Sequence, residues 1–199
     1  LTVPIVLASG SATRRTMLES AGLAVIVDRP DVDEDAVKRD CRGRGLSAAE
    51  TAETLARAKA VQVAARHPGS ITVGADQMLE CDSEWFDKPS DRAAAIRQIG
   101  QLSGRTHRLI SAVVAMRGAT AIWRAVDSAE LTMRPLSSAF IESYLDMVGD
   151  QLFSSVGGYQ IEGPGIQLFR EIRGDHFTIL GMPLLPLLDF LRGEGVIAE

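Results

Sequence analysis

Asp76 closes the apolar run Ile71-Thr72-Val73-Gly74-Ala75, and a carboxylate at the end of such a run can serve as a base or as a ligand for a hard cation. A second segment, Leu7-Ala8-Ser9-Gly10-Ser11-Ala12-Thr13-Arg14-Arg15, passes from apolar residues through small and hydroxylated ones to two arginines. A strand that turns in this way into a helix start exposes backbone N–H groups, and the helix dipole there favours an anion. Two guanidinium forks add donors that match phosphate oxygens. Lys59 and Lys88 offer further positive charge, and Glu34 joins Asp76 as a source of oxygen ligands for a magnesium-like ion. These types suggest a cradle for a polyphosphate, with positive charge to neutralise it and carboxylates for a hard cation. Each also has a plainer reading. Ser, Gly and Thr commonly cap helices and make turns, and the acidic run around Glu34 is of a kind that usually faces water. Glu53 is a weaker carboxylate candidate, since its place on a helix equally suits a solvated face.

The elements that must position these residues alternate between strand and helix. Residues 3–7 suit a short buried strand, residues 16–21 a helix that stops at Gly22, and residues 24–27 a second strand. The segment from Asp28 to Asp35 is acidic and contains Pro30, which excludes a helix interior there, and Arg42-Gly43-Arg44-Gly45 reads as loop. Ser47 and Glu50 form a capping-box pattern ahead of a helix over residues 48–65, with Ala52, Leu55, Ala56, Lys59 and Val63 on one face. The strand ending on Asp76 continues through Met78 and Leu79 to a hairpin-like turn at Asp82-Ser83-Glu84. Ser90 is read as the cap of a helix with the stripe Ala93, Ile96, Ile99 and Leu102. Residues 107–116 and 121–133, rich in β-branched side chains, suggest an antiparallel pair. Ser137 caps a further helix, a glycine-rich connection runs from Gly157 to Gly165, and residues 166–172 and 176–180 look strand-like. Pro183 opens a closing helix. The alternation indicates an α/β protein with a mixed sheet.

Composition narrows the classes. Hydrophobic residues make up 46% of 199, enough for a sizeable core, and no repeat or low-complexity segment interrupts them. A net charge of −5 argues against a general nucleic-acid binder, so an anionic ligand needs a local basic cluster. No apolar run approaches the roughly 18 residues of a membrane span, and the start of the chain lacks a signal-peptide pattern. Cys41 and Cys81 fit neither metal spacing nor a disulfide framework, and a cytoplasmic, reducing setting is expected. His67, His107 and His176 lack the spacing of a metal site and read as turn or structural residues.

Several segments together resemble the Maf family of nucleoside triphosphate pyrophosphatases. They are Leu7-Ala8-Ser9-Gly10-Ser11 with Arg14-Arg15, Leu55-Ala56-Arg57-Ala58-Lys59-Ala60, Gly74-Ala75-Asp76, Lys88-Pro89, Leu102-Ser103-Gly104-Arg105-Thr106-His107, the run from Tyr159 to Gly165, and Gly181-Met182-Pro183-Leu184. They occur in order from about residue 3 to residue 192. The resemblance implies one domain over residues 1–199, a mixed twisted sheet with flanking helices forming two lobes around a cleft, as in inosine triphosphate pyrophosphatases. It implies cleavage of a nucleoside triphosphate between its α and β phosphates, with Mg2+ or Mn2+ as the divalent cofactor. Asp76 would then be the proton acceptor with Lys59 and Lys88 beside it, Ser9, Ser11, Arg14 and Arg15 would bind phosphate, and Glu34 with Asp76 would hold the metal. The family often forms dimers, so a homodimer is a partner to expect, and some members are linked to cell-division arrest.

Three positions bear on the base. The one extra residue before Arg14-Arg15, Gln77 after Gly-Ala-Asp, and Glu162 in the glycine-rich connection all resemble the 7-methyl-GTP branch of the family. Thr13, Gln77 and Glu162 are therefore the specificity candidates. A carboxylate only accepts hydrogen bonds, and guanine presents adjacent N1–H and N2–H donors, whereas uracil and thymine present an acceptor–donor–acceptor edge. Ala12 stands where the family usually has Pro, and Thr13 where that branch often has an aromatic. Action on dTTP, UTP or a broad set of triphosphates is the alternative, and a triphosphate-binding regulator of division without significant turnover is another.

Overall fold

The structure, a computed structural model, describes residues 3–198. The chain divides into two compact units: the first comprises Leu1–Gln77, Ile110–Ser128 and Asp175–Glu199, the second Met78–Leu109 and Ala129–Gly174. Among the described residues seven strands, β1 (Ile5–Ala8), β2 (Val25–Val27), β3 (Ile71–Cys81), β4 (Glu84–Phe86), β5 (Thr106–Arg117), β6 (Thr120–Met133) and β7 (Phe169–Arg173), form one sheet in the order β2-β1-β3-β5-β6-β7, with β4 paired to β3.

In the first unit, β1 (Ile5–Ala8) leads into α1 (Ala12–Ser20) and then β2 (Val25–Val27). After α2 (Glu34–Gly43) and α3 (Ala48–Ala64), the chain enters β3 (Ile71–Cys81). β1 is parallel to β2 on one side and to β3 on the other, with Ala8 opposite Gly74. The chain leaves β1 for β2 on one side and leaves β3 toward the other, so the carboxyl end of β1 and the stretch of β3 beside it form a topological switch point, the place where open α/β sheets bind ligands. The alternation along β1 explains the two faces. Ile5 and Leu7 join a core with Met17 and Leu18 of α1 and with Leu184, Leu187 and Leu191 of α7 (Leu184–Gly193), whereas Val6 and Ala8 pack with Val63 of α3. The expected face of α3 is correct: Ala52, Leu55, Ala56, Lys59 and Val63 are all buried, and the Ser47–Glu50 capping box is formed.

In the second unit, the end of β3 turns through Asp82 and Ser83, both at positive φ, into β4 (Glu84–Phe86). α4 (Arg92–Leu102) and α5 (Ser138–Val148) are linked on the surface by Arg92, which pairs with Glu142 and Asp146. Short 3-10 turns occupy Gly149–Phe153, Val156–Gly158 and Pro164–Leu168 before β7 (Phe169–Arg173). β5 (Thr106–Arg117) and β6 (Thr120–Met133) are neighbours in the sheet and, like β3, carry residues of both units.

Several expectations need correction. The first helix begins at Ala12, capped by Ser11, so Arg14 and Arg15 lie within its first turn rather than before it. The acidic segment and the expected Arg-Gly loop contain α2, whose cap is Asp33; two residues separate Pro30 from Asp33, so the proline precedes the helix without breaking it. Asp91, not Ser90, caps α4, and that helix buries Ala94 and Ala95 while Ala93 is exposed. His176–Ile179 is a short helix, α6, capped by Asp175, where a strand was expected.

Candidate functional site

Arg14 organises the end of β1. It is 9% exposed, and its Nε donates to the Gly181 carbonyl at 2.9 Å while Nη1 donates to the Ala75 carbonyl at 3.0 Å and to Ser9 Oγ at 3.3 Å. One guanidinium thus joins the turn after β1, the middle of β3 next to Asp76, and the segment before α7. Burial pushes this arginine below its usual pKa, and the charges of Asp76 and Glu34 oppose that push. The turn itself is fixed by its hydroxyls. Ser9 Oγ accepts from the Ser11 backbone N–H at 3.2 Å, and Ser11 Oγ accepts from the Arg14 N–H at 3.3 Å. A hydroxyl that accepts in this way keeps its own proton to donate, so both serines retain a donor for an anion.

Beside this turn lies a three-charge cluster. Lys59 Nζ is 2.6 Å from Asp76 Oδ1 and 2.7 Å from Glu34 Oε1. Lys59 and Asp76 are 6% and 5% exposed. Asp76 is there because β3 is apolar and buried up to that point; Lys59 reaches it from the buried face of α3, and Glu34 from the first residue of α2. Burial raises the Asp76 carboxyl above its ordinary pKa, against the lowering effect of Lys59 and Arg14. A carboxylate held in this way is a better proton acceptor than one in water. Its Oδ1 is committed to Lys59, which leaves Oδ2 as the oxygen that can take a proton.

The remaining sequence candidates fall in different settings. Arg15 faces solvent and pairs with Glu19 at 3.3 Å, one turn along α1. Thr13 is half-buried in the same helix. Gln77 uses its amide Nε2 as a donor to Ser111 Oγ at 3.1 Å, Thr178 O at 3.1 Å and Ile179 O at 2.9 Å. With its amide hydrogens so engaged, what Gln77 can offer a ligand is its carbonyl oxygen, an acceptor. Lys88 and Glu162 belong to the second unit and are exposed there. Within that unit, Tyr159 anchors the connection that carries Glu162: its hydroxyl lies 2.6 Å from His107 Nε2, and its ring meets Phe169 edge-on. The histidine was rightly read as structural. Sequence reasoning missed the main-chain acceptors of Gly181 and Ala75, which no side-chain type signals, and the supports of Gln77 at Ser111 and Thr178.

The donor set can be compared with what a divalent ion needs. Asp76 and Glu34 present hard carboxylate oxygens converging on one ammonium. Among the described residues no group of three or more His, Cys, Asp or Glu could hold a metal. Two carboxylates without a full protein cage fit a magnesium-like ion, which keeps several waters and takes its other ligands from phosphates.

A family model described as Maf-like protein matches residues 4–194. The chain is 53% identical over 189 residues to a nucleoside triphosphate pyrophosphatase from Paramagnetospirillum magneticum, covering 95% of this chain and 97% of that protein. It is 48% identical over 197 residues to a 7-methyl-GTP pyrophosphatase from Brucella abortus, covering 99% of each. Among solved structures, a nucleoside-triphosphatase (dITP/XTP pyrophosphatase) from Mycobacterium abscessus aligns over 98% of this chain and 96% of its own, with a TM-score of 0.42 and 15% identity.

Proposed function

The chain belongs to the Maf family, and from that premise we propose that it is a nucleoside triphosphate pyrophosphatase cutting between the α and β phosphates. Water and the triphosphate give a nucleoside monophosphate and pyrophosphate. The observation that carries this reading is the Lys59–Asp76 pair at the switch point of the sheet, next to the serine turn held by Arg14. In it the Ser9 and Ser11 hydroxyls and the helix start receive phosphate oxygens, and Asp76 accepts the proton given up by the attacking water. Lys59 holds Asp76 and offsets its charge. Bound by Asp76 and Glu34, Mg2+ or Mn2+ would supply neutralisation of the phosphates.

For the base, the reading is 7-methyl-GTP. Gln77 has its amide hydrogens engaged by its own chain, and Glu162 is a carboxylate, so two of the three specificity candidates act as acceptors, which suits the donor edge of guanine and the positive charge of its 7-methyl form. Uracil and thymine would leave an acceptor facing an acceptor.

The test is pyrophosphate release from 7-methyl-GTP, GTP, UTP and dTTP in the presence of Mg2+ or Mn2+. Turnover by the wild type, strongest on 7-methyl-GTP and lost in Asp76→Asn, is the expected result. Turnover that Asp76→Asn leaves untouched would overturn the site, and preference for dTTP and UTP would overturn the substrate. Micromolar triphosphate binding with no turnover would favour a nucleotide-binding regulator instead.

A further inference from the structure

The positive charges already described near the turn are largely balanced. Lys59 is shared by Asp76 and Glu34, Arg15 pairs with Glu19, and Arg14 spends its Nε and Nη1 on the protein's own oxygens. A triphosphate brings several negative charges, so the cradle needs a cation whose donors are uncommitted. Arg29 is such a group. It follows β2, the strand next to β1, and is exposed. Its guanidinium packs against Gly10, in the middle of the serine turn: a Cβ at position 10 would stand 2.4 Å from Arg29 Nε, 2.7 Å from Nη2 and 2.9 Å from Cζ. Glycine at position 10 is what gives that side chain its seat. Among the described residues, no carboxylate or carbonyl accepts from the Arg29 guanidinium.

The backbone beneath Arg29 is fixed. The Asp28 N–H donates to the Leu7 carbonyl at 3.1 Å, at the end of β1. Arg66 grips Asp28 with two parallel bonds, 2.9 Å and 2.7 Å, and also donates to the Arg29 carbonyl at 3.3 Å. His67 Nε2 lies 2.8 Å from the same Asp28. Pro30 restricts the residue before it to extended backbone. An arginine whose main chain is tied down while its five N–H donors stay uncommitted is preorganised for a phosphate.

We infer that Arg29 is a third arginine of the cradle, binding a phosphate of the substrate beside Gly10. The inference rests on the proposed pyrophosphatase reading. Its test uses inorganic tripolyphosphate as well as nucleotide, so that binding is read apart from turnover. By titration calorimetry, Arg29→Gln should weaken tripolyphosphate binding about tenfold, the scale of one charge-assisted contact, with Arg29→Lys falling between it and the wild type. In turnover the loss should appear in KM, with kcat nearly unchanged. Unaltered melting temperature identifies the variants as folded, as expected for an exposed side chain. Equal tripolyphosphate affinity in wild type and Arg29→Gln, or no binding by the wild type, would overturn the inference. A wild type that binds tripolyphosphate through Arg29 yet hydrolyses no triphosphate would sustain it and defeat the pyrophosphatase reading alone.

Discussion

Gly74 runs so close to Ala56 that a Cβ on it would stand 2.3 Å from the Ala56 carbonyl oxygen and 2.8 Å from the backbone nitrogen of Ala60. The strand and α3 touch through their main chains, and this contact sits one turn of α3 from Lys59 and two residues from Asp76. Gly74→Ala must therefore push α3 away, since backbone cannot swing aside as a side chain can. The expected cost is about 1–3 kcal/mol of stability, typical of overpacking, together with a fall in pyrophosphate release as Lys59 is drawn from Asp76. Denaturant unfolding and a turnover assay on the same preparation check both.

Asp76→Asn keeps the size of the side chain and removes the proton acceptor. If Asp76 is the base, kcat falls about 10²–10⁴-fold, the usual contribution of such a group, while KM changes little. Lys59→Met should act differently. It strands two neighbouring carboxylates, one of them buried, and breaking a buried pair from one side costs about 3–5 kcal/mol. A melting shift much larger for Lys59→Met than for Asp76→Asn is the expected pattern.

Removal of divalent metal by a chelator should abolish turnover, and added Mg2+ or Mn2+ should restore it. Glu34→Gln should raise the metal concentration needed for half-maximal rate, since it removes one of only two carboxylates in the cluster. Turnover that persists in the chelator would refute the assignment of Glu34 and Asp76 to a metal.

His107 gives a pH dependence of stability. Burial holds its pKa down at about 4, because charging the ring puts a proton on both nitrogens and Nδ1 has no partner. In the unfolded chain the same imidazole titrates near 6.5. As the pH falls below about 6.5, the unfolded chain takes up a proton that the native state refuses, so stability declines until His107 itself protonates near pH 4. The full effect is on the order of 3 kcal/mol. Chemical denaturation at pH 7.0 and about 4.5 should show this loss in the wild type and a smaller one in His107→Gln.

Glu162→Gln tests the base reader. It turns an acceptor-only group into one that also donates, and activity should move toward dTTP and UTP. An unchanged profile across the substrate panel would exclude Glu162 from that task.

The parts of this molecule that were legible beforehand are those whose signal is local. The capping box at Ser47 and Glu50, the apolar run into Asp76 and the face of α3 bearing Lys59 each declare themselves within a few residues. The resemblance located Lys59 and Asp76 by independent means. What could not be read is where local signals compete or where side-chain type carries no information. Pro30 and the acidic residues after it disguised α2, although Asp33 and Ala36 form an ordinary helix cap. The β-branched residues of His176–Ile179 suggested a strand, and the Asp175 cap decided for a helix. The partners of Arg14 are carbonyls of Ala75 and Gly181, invisible to any reading of residue types. Arg29 escaped notice because its place at the turn depends on the pairing of β1 with β2.

The bond from Arg14 to Gly181 spans 167 positions of the chain. During synthesis the serine turn and its arginine leave the ribosome well before the acceptor that holds the guanidinium. A chain without that segment has Asp76, Lys59 and both serines, yet its arginine lacks one of its three acceptors. The cradle is complete only when two segments far apart in the chain have met.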